Sequence, residues 1–231
     1  MAWNNRRQNV PSGASSGTRV GSALPMTSYG TTISQPGQAA TNLLTSLSRT
    51  RASTPAGAGV VAGHRSNAAL FVRANGLTIT FRFALSTFAS GHRSFVGLRA
   101  TAAQIGAVEP STLTDVIGMG FDTAATQWSL LHNDGSGSCT AIALGASYNV
   151  VASDVLELRL TWTAGGNVDY RVRNLTSGAA AASGTLSTNL PSITTFLSTH
   201  AHVDTSTDAT AAAQPDLVDV FFDATLPSLA T

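Results

Sequence analysis

Leu77-Thr78-Ile79-Thr80-Phe81-Arg82-Phe83 alternates apolar and polar residues without a break. Side chains of an extended chain point to opposite faces in turn, so this pattern gives one wholly apolar face and one carrying Thr78, Thr80 and Arg82; a helix would scatter the same residues around its axis. It predicts a strand with one buried face. The same period returns in Leu156, Leu158, Leu160 and Trp162 against Glu157, Arg159 and Thr161, and in Val168, Tyr170 and Val172 against Asp169, Arg171 and Arg173. Between them, Thr163-Ala164-Gly165-Gly166-Asn167 has hairpin-loop composition. Antiparallel pairing then brings Glu157 and Arg159 near Arg171 and Asp169 on the exposed face, as cross-strand charge partners.

Further strands are expected at 68–74, 94–99, 115–121, 126–132, 139–144, 183–187, 194–203 and 215–223. No helical pattern longer than about two turns competes with them. Many short strands with closely spaced turn signals indicate an all-β fold, an antiparallel β-sandwich or jelly roll, over residues 66–231. Residues 1–65 read differently. They are Gly, Ser, Ala, Thr, Pro, Asn and Gln with scattered arginines, and Pro11, Pro25, Pro36 and Pro55 forbid a long helix. This predicts an extended, largely irregular N-terminal arm. One exception is Leu43, Leu44 and Leu47, whose spacing makes a single apolar helical face, a short anchor helix that needs a partner to be stable.

Charge is distributed unevenly along the chain. Residues 1–108 contain ten arginines and no acid, and the remainder three arginines and twelve acids, summing to a formal +1. The arm alone has six arginines, so it suits an acidic partner or the body of a neighbouring copy. Trp3, Arg6, Arg7, Arg19, Leu43, Leu44, Leu47, Arg49 and Arg51 are the expected contacts to such a partner or to a neighbouring subunit. Guanidinium forks bond carboxylates from an extended chain, and the apolar residues anchor it. The arm lacks the dense basic clusters and interleaved aromatics of dedicated nucleic-acid binders, so nucleic acid is not an expected partner.

Composition narrows the chemistry further. Of 231 residues only 11% are charged, against about 25% in typical soluble domains, and Lys is absent. A surface of hydroxyls and small groups fits a packed assembly. The single Cys139 allows no intramolecular disulfide, and neither a signal-peptide core nor a membrane-length apolar run is present, so a soluble, unexported protein is expected.

The stretch Leu131-His132-Asn133-Asp134-Gly135-Ser136-Gly137-Ser138-Cys139-Thr140 crowds a histidine, a carboxylate, hydroxyls and the cysteine together. Its Asp-Gly pair and backbone-bonding Asn and Ser predict a turn between strands, and Ser136 directly between two glycines fails the nucleophile-elbow spacing. His200, His202 and Asp204 on one strand face are too few for a recognised metal signature. Glu157 has an Arg partner and Glu109 precedes a proline in a loop, so neither resembles the raised-pKa acid of a glycosidase pair. No catalytic residue, cofactor or metal is expected. Carbohydrate binding would usually show an aromatic platform, yet aromatics total 6%, and with Trp128 and Trp162 in apolar strands only Trp3 is left free.

Arg93-Ser94-Phe95-Val96-Gly97-Leu98-Arg99-Ala100, the run from Pro110 to Gly137, Tyr170-Arg171-Val172 and Thr194-Thr195-Phe196-Leu197 resemble a β-sandwich domain of tailed-bacteriophage virion-surface and tail-fibre proteins, over about residues 66–223. The resemblance implies a virion structural protein, assembled in the host cytoplasm, with no catalytic residues to carry over. The chain has no coiled-coil or collagen-like shaft before the sandwich. A basic arm in that place suits a capsid decoration, or cement, protein, homotrimeric by the same resemblance and bound to the major capsid protein. The alternative is a tail-fibre or spike component that binds a host-surface receptor or glycan.

Overall fold

The computed structural model describes residues 26–207 and 211–225. Two antiparallel sheets face each other. In spatial order the eight-stranded sheet runs β1 (Met26–Tyr29), β4 (Val61–Ser66), β14 (Phe196–Asp204), β7 (Arg93–Arg99), β8 (Val116–Phe121), β9 (Ser129–Asn133) and β10 (Thr140–Ala143), with β5 (Phe71–Val72) on the start of β14. The seven-stranded sheet runs β13 (Ala182–Leu186), β12 (Val168–Asn174), β11 (Leu156–Trp162), β6 (Gly76–Thr87), β15 (Gln214–Thr225), β3 (Thr50–Ser53) and β2 (Thr32–Ser34). This is the expected β-sandwich.

The alternation of residues 77–83 builds the core. Leu77, Ile79, Phe81 and Phe83 of β6 and Leu156, Leu158, Leu160 and Trp162 of β11 all point between the sheets. They meet Val96, Leu98, Ile117, Met119, Leu130, Ala201 and Val203 from the facing sheet. Burying each large apolar side chain is worth about 1.5–3 kcal/mol, so this layer dominates the fold's stability. Trp128 lies edge-on to Phe121 and Phe83, with ring centroids 4.7 and 5.3 Å apart.

The same layer fixes the register between β11 and β12. Trp162 lies opposite Val168 and Leu158 opposite Val172, which sets Glu157 opposite Arg173, Asp169 opposite Thr161 and Arg159 opposite Arg171. The expected pairing of Arg159 with Asp169 therefore does not form. A two-residue slip would improve the charges but would misalign the buried side chains, and exposed pairs are worth well under about 1 kcal/mol.

Residues 26–65, expected to belong to the irregular arm, are instead part of the sandwich. β1, β2, β3 and β4 all lie between residues 26 and 66 and pair within the two sheets. Met26, Ala52 and Ala62 enter the core. β1 and β2 take edge positions, where backbone pairing to one neighbour holds a strand with few apolar residues, and Pro36 and Pro55 fall in the connections. Leu43 and Leu44 begin α1 (Leu43–Ser46), a single turn closed by a capping box in which Asn42 Oδ1 accepts from Thr45 N at 2.8 Å. Leu43, Leu44 and Leu47 pack against Ala84, Val155 and Val218, on the outer face of the seven-stranded sheet. The partner this helix needs is thus its own domain.

Candidate functional site

Three regions concentrate polar or exposed groups that could have a job. The first is the turn from β9 to β10. His132 is buried on the inner side of β9, its Nδ1 2.9 Å from Asn189 O. Asn133 Nδ2 donates to Ser136 O (2.7 Å) and Ser138 O (3.0 Å), while its Oδ1 accepts from Gly135 N at 2.7 Å. Gly135 has φ +97°, which its position in the tight turn requires of a residue without a side chain. Asp134 accepts from Ser136 Oγ at 2.8 Å. Cys139 Sγ faces the carbonyls of Pro110 and Leu113 at 3.6 and 3.2 Å, and burial pushes its thiol up to about 12, away from the reactive thiolate. The groups of this motif bond the turn itself and neighbouring backbone.

The second region is the outer face of the eight-stranded sheet. Successive side chains alternate, so with Leu197, Thr199, Ala201 and Val203 on one side, Ser198, His200, His202 and Asp204 line the other. They are buried all the same, because the connection from Ala100 to Asp115 lies across them as a strap. Ser198 Oγ donates to Thr101 O (2.6 Å), and His200 Nε2 donates to the same carbonyl (2.8 Å). Arg93 Nε bonds both Asp204 oxygens at 2.8 Å, and its Nη1 bonds Glu109 Oε1 at 2.9 Å. Ile105 and Leu113 of the strap pack on Phe95, Val116 and Leu131. The strap is held by a carboxylate, a carbonyl and two apolar side chains.

Electrostatics in this layer follow from that geometry. Burial alone would raise Glu109, but the Thr123 hydroxyl and N–H and the Arg93 guanidinium hold its carboxyl below the usual range. Burial pulls His200 down to about 4, with Arg99, His202 and Arg65 adding repulsion. His202 is lowered as well, first by burial, against the opposing pull of Asp204. Tyr29 Oη lies 3.0 Å from His202 Nδ1, and Asp204 Oδ2 lies 3.5 Å from its Nε2. Tyr29 reaches there across Gly63, where a Cβ would stand 2.7 Å from its hydroxyl. Among the described residues no three His, Cys, Asp or Glu side chains are placed to hold a metal, and the cation between Asp204 and Glu109 is Arg93.

The third region is an apolar end of the sandwich. Leu70, Phe71, Val72, Gly76, Leu77 and Phe222 line a cleft of about 260 Å³. Beside it Leu70, Ile193 and Phe196 are 48%, 47% and 57% exposed, and the segment from Leu70 to Ala74 is bonded to the backbone of Leu197 and Ile193. The described fold begins at this end, at Met26 opposite Ser66, and β15 finishes here, with Thr225 opposite Gly76.

The expected contact residues are divided between the domain and the chain beyond it. Trp3, Arg6, Arg7 and Arg19 lie outside the described residues. Arg49 Nη1 donates to Leu44 O and Leu47 O at 3.0 and 3.1 Å, closing α1. Arg51 bonds buried Asp216 through both carboxylate oxygens, at 2.9 and 3.2 Å. Leu43, Leu44, Leu47, Arg49 and Arg51 are thus engaged within their own domain. The Arg93–Asp204 and Arg93–Glu109 pairs escaped the sequence reading, since nothing in spacing joins residues 93, 109 and 204 before the strand pairing is known.

No family model and no curated protein matches the chain. Solved structures do. A protein of unknown function from Shewanella oneidensis MR-1 is 14% identical with a TM-score of 0.62, over 100% of this chain and 90% of its own. Lectin II from Ulex europaeus is 13% identical with a TM-score of 0.53, over 78% and 88%. The carbohydrate esterase of the Shiga toxin-encoding bacteriophage phi24B is 12% identical with a TM-score of 0.50, over 87% and 90%. In architecture, then, this chain is a lectin-like β-sandwich. At these identities the likeness is one of fold, a scaffold that carries binding proteins and enzymes alike.

Proposed function

We propose that the chain is a structural protein of a tailed-bacteriophage virion that works by binding, as a homotrimeric capsid decoration protein fastened to the major capsid protein. The observation that carries this is the common position of the apolar end and the start of the described fold. The residues that precede Met26, with Trp3, Arg6, Arg7 and Arg19, join the domain where Leu70, Ile193 and Phe196 are exposed. An adhesive segment next to an apolar surface gives one fastening face, and clusters of exposed apolar residues mark such faces. Several copies acting together offset the entropy each segment loses on binding.

The test is labelling on virions combined with deletion of residues 1–25, leaving the strands from Met26 onward intact. Label in many copies across the shell, lost on deletion while the domain stays folded, is the expected result. Label confined to the tail, in few copies, overturns it. That outcome belongs to the second reading, a tail-fibre or spike component that binds a host glycan. Its support is the sandwich shared with lectins and with a phage carbohydrate esterase.

A further inference from the structure

α1 covers only part of the outer face of the seven-stranded sheet, and on the open part four arginines point outward: Arg82, Arg159, Arg171 and Arg173. Two of them share one acid. Arg82 Nε lies 2.8 Å and Arg173 Nη1 3.5 Å from Glu157, and the Arg82 guanidinium also sits 5.0 Å above the ring centre of Phe221. Asp169 accepts from Thr185 Oγ1 at 2.6 Å. Arg159 and Arg171 are exposed and directly opposite each other, and have no ion pair or hydrogen bond from their side chains among the described residues. Like charges facing across a strand pair weaken it, because opposed side chains stand only about 4.5–5.5 Å apart at Cβ.

We infer that Arg159 and Arg171 form a binding site for carboxylates presented by an acidic protein surface. Two adjacent guanidiniums offer planar N–H forks that match carboxylates bidentately, and a carboxylate between them removes the repulsion the register imposes. Ser183, opposite Arg171 on β13, is exposed and adds a hydroxyl. The site is a flat sheet face, which suits a macromolecular surface over a small enclosed anion. A saccharide chain would call for an open aromatic face, whereas the ring present, Phe221, is half-buried beneath Arg82. Glu157 and Asp169, interleaved with the arginines, repel a continuous phosphate backbone and suit a protein patch of mixed charge. The inference does not rest on the virion reading.

The full chain is passed over immobilised poly-L-glutamate with a salt gradient, as wild type and as the R159Q/R171Q, A141E/A143E and R171E variants. A141E/A143E changes the net charge by the same amount on exposed positions of β10, at the edge of the other sheet. R159Q/R171Q is expected to lose at least about tenfold in affinity, with A141E/A143E close to wild type. R171E, which places an acid opposite Arg159, is expected to lose binding while Tm rises by roughly 1–3 °C. Equal binding by wild type and R159Q/R171Q, equal loss in both double variants, or a fall in Tm for R171E overturns the site. Tighter retention on polygalacturonate than on polyglutamate assigns the arginines to a saccharide and also overturns it.

Discussion

Acid should weaken this fold through His200, and the size of the effect can be worked out. The imidazole is fully buried under the strap, with Nε2 donating to Thr101 O and Nδ1 without a partner among the described residues. Arg65 from β4, Arg99 from β7 and His202 from its own strand repel a charge there, and burial, the largest cause, brings the group to about 4 from an ordinary 6.5. A depressed histidine is neutral in the folded chain while the unfolded chain takes up a proton, so its contribution is present above pH 6.5 and is lost as pH falls toward 4. Each pH unit of displacement is worth about 1.4 kcal/mol, giving roughly 3 kcal/mol across the window. That is a large part of a typical domain stability of about 5–15 kcal/mol. Urea unfolding followed by tryptophan fluorescence at pH 7.5, 6, 5 and 4 measures the slope. His200→Gln keeps a donor for Thr101 O but cannot titrate, so the variant should lose about 3 kcal/mol less than wild type over that range. Parallel losses in the two proteins would refute the assignment to His200.

Other expectations follow from burial and pairing. Phe81→Ala should cost about 3–5 kcal/mol and Thr80→Ala under about 1 kcal/mol by the same unfolding assay, since one faces the core and the other the outer side of β6. Asp216→Asn leaves Arg49 and Arg51 without their carboxylate and should cost roughly 3 kcal/mol, seen as a shifted urea midpoint. Asn133→Ala should cost about 1–3 kcal/mol because two carbonyls and the Gly135 and Asp115 N–H groups lose their partner, whereas Cys139→Ser should stay within about 1 kcal/mol.

How far the fold was legible depends on how each segment is held. β6, β11 and β12 are amphipathic, so their strand identity and inner faces follow from alternation alone. The turn at Asn133–Ser138 follows from local chemistry, as Asn, Asp and Gly bond their own backbone. β1 to β4 have segments such as Thr-Ile-Ser and Thr-Arg-Ala-Ser, whose strand character comes from the neighbour each pairs with, so no local pattern marks them. Charge pairing was mistaken at Arg159 because the register obeys buried leucines. Arg49 and Arg51 read as free arm charges because Asp216, their partner, is more than 160 residues away.

The position of β15 sets a condition on how the chain is made. It stands between β6 and β3, contributing buried Leu217 and Val220, although it is the last described strand in chain order. While residues 214–225 are still inside the ribosome, the long apolar face of β6 has one sheet neighbour missing and an open edge. The chain emerges with its stickiest strand waiting for its final partner, a situation that favours slow, non-local closure and exposes the nascent protein to aggregation. Synthesis speed and chaperone supply in the producing cell are therefore expected to bear on the yield of native protein, and losing β15 would cut β3 and β2 off from β6.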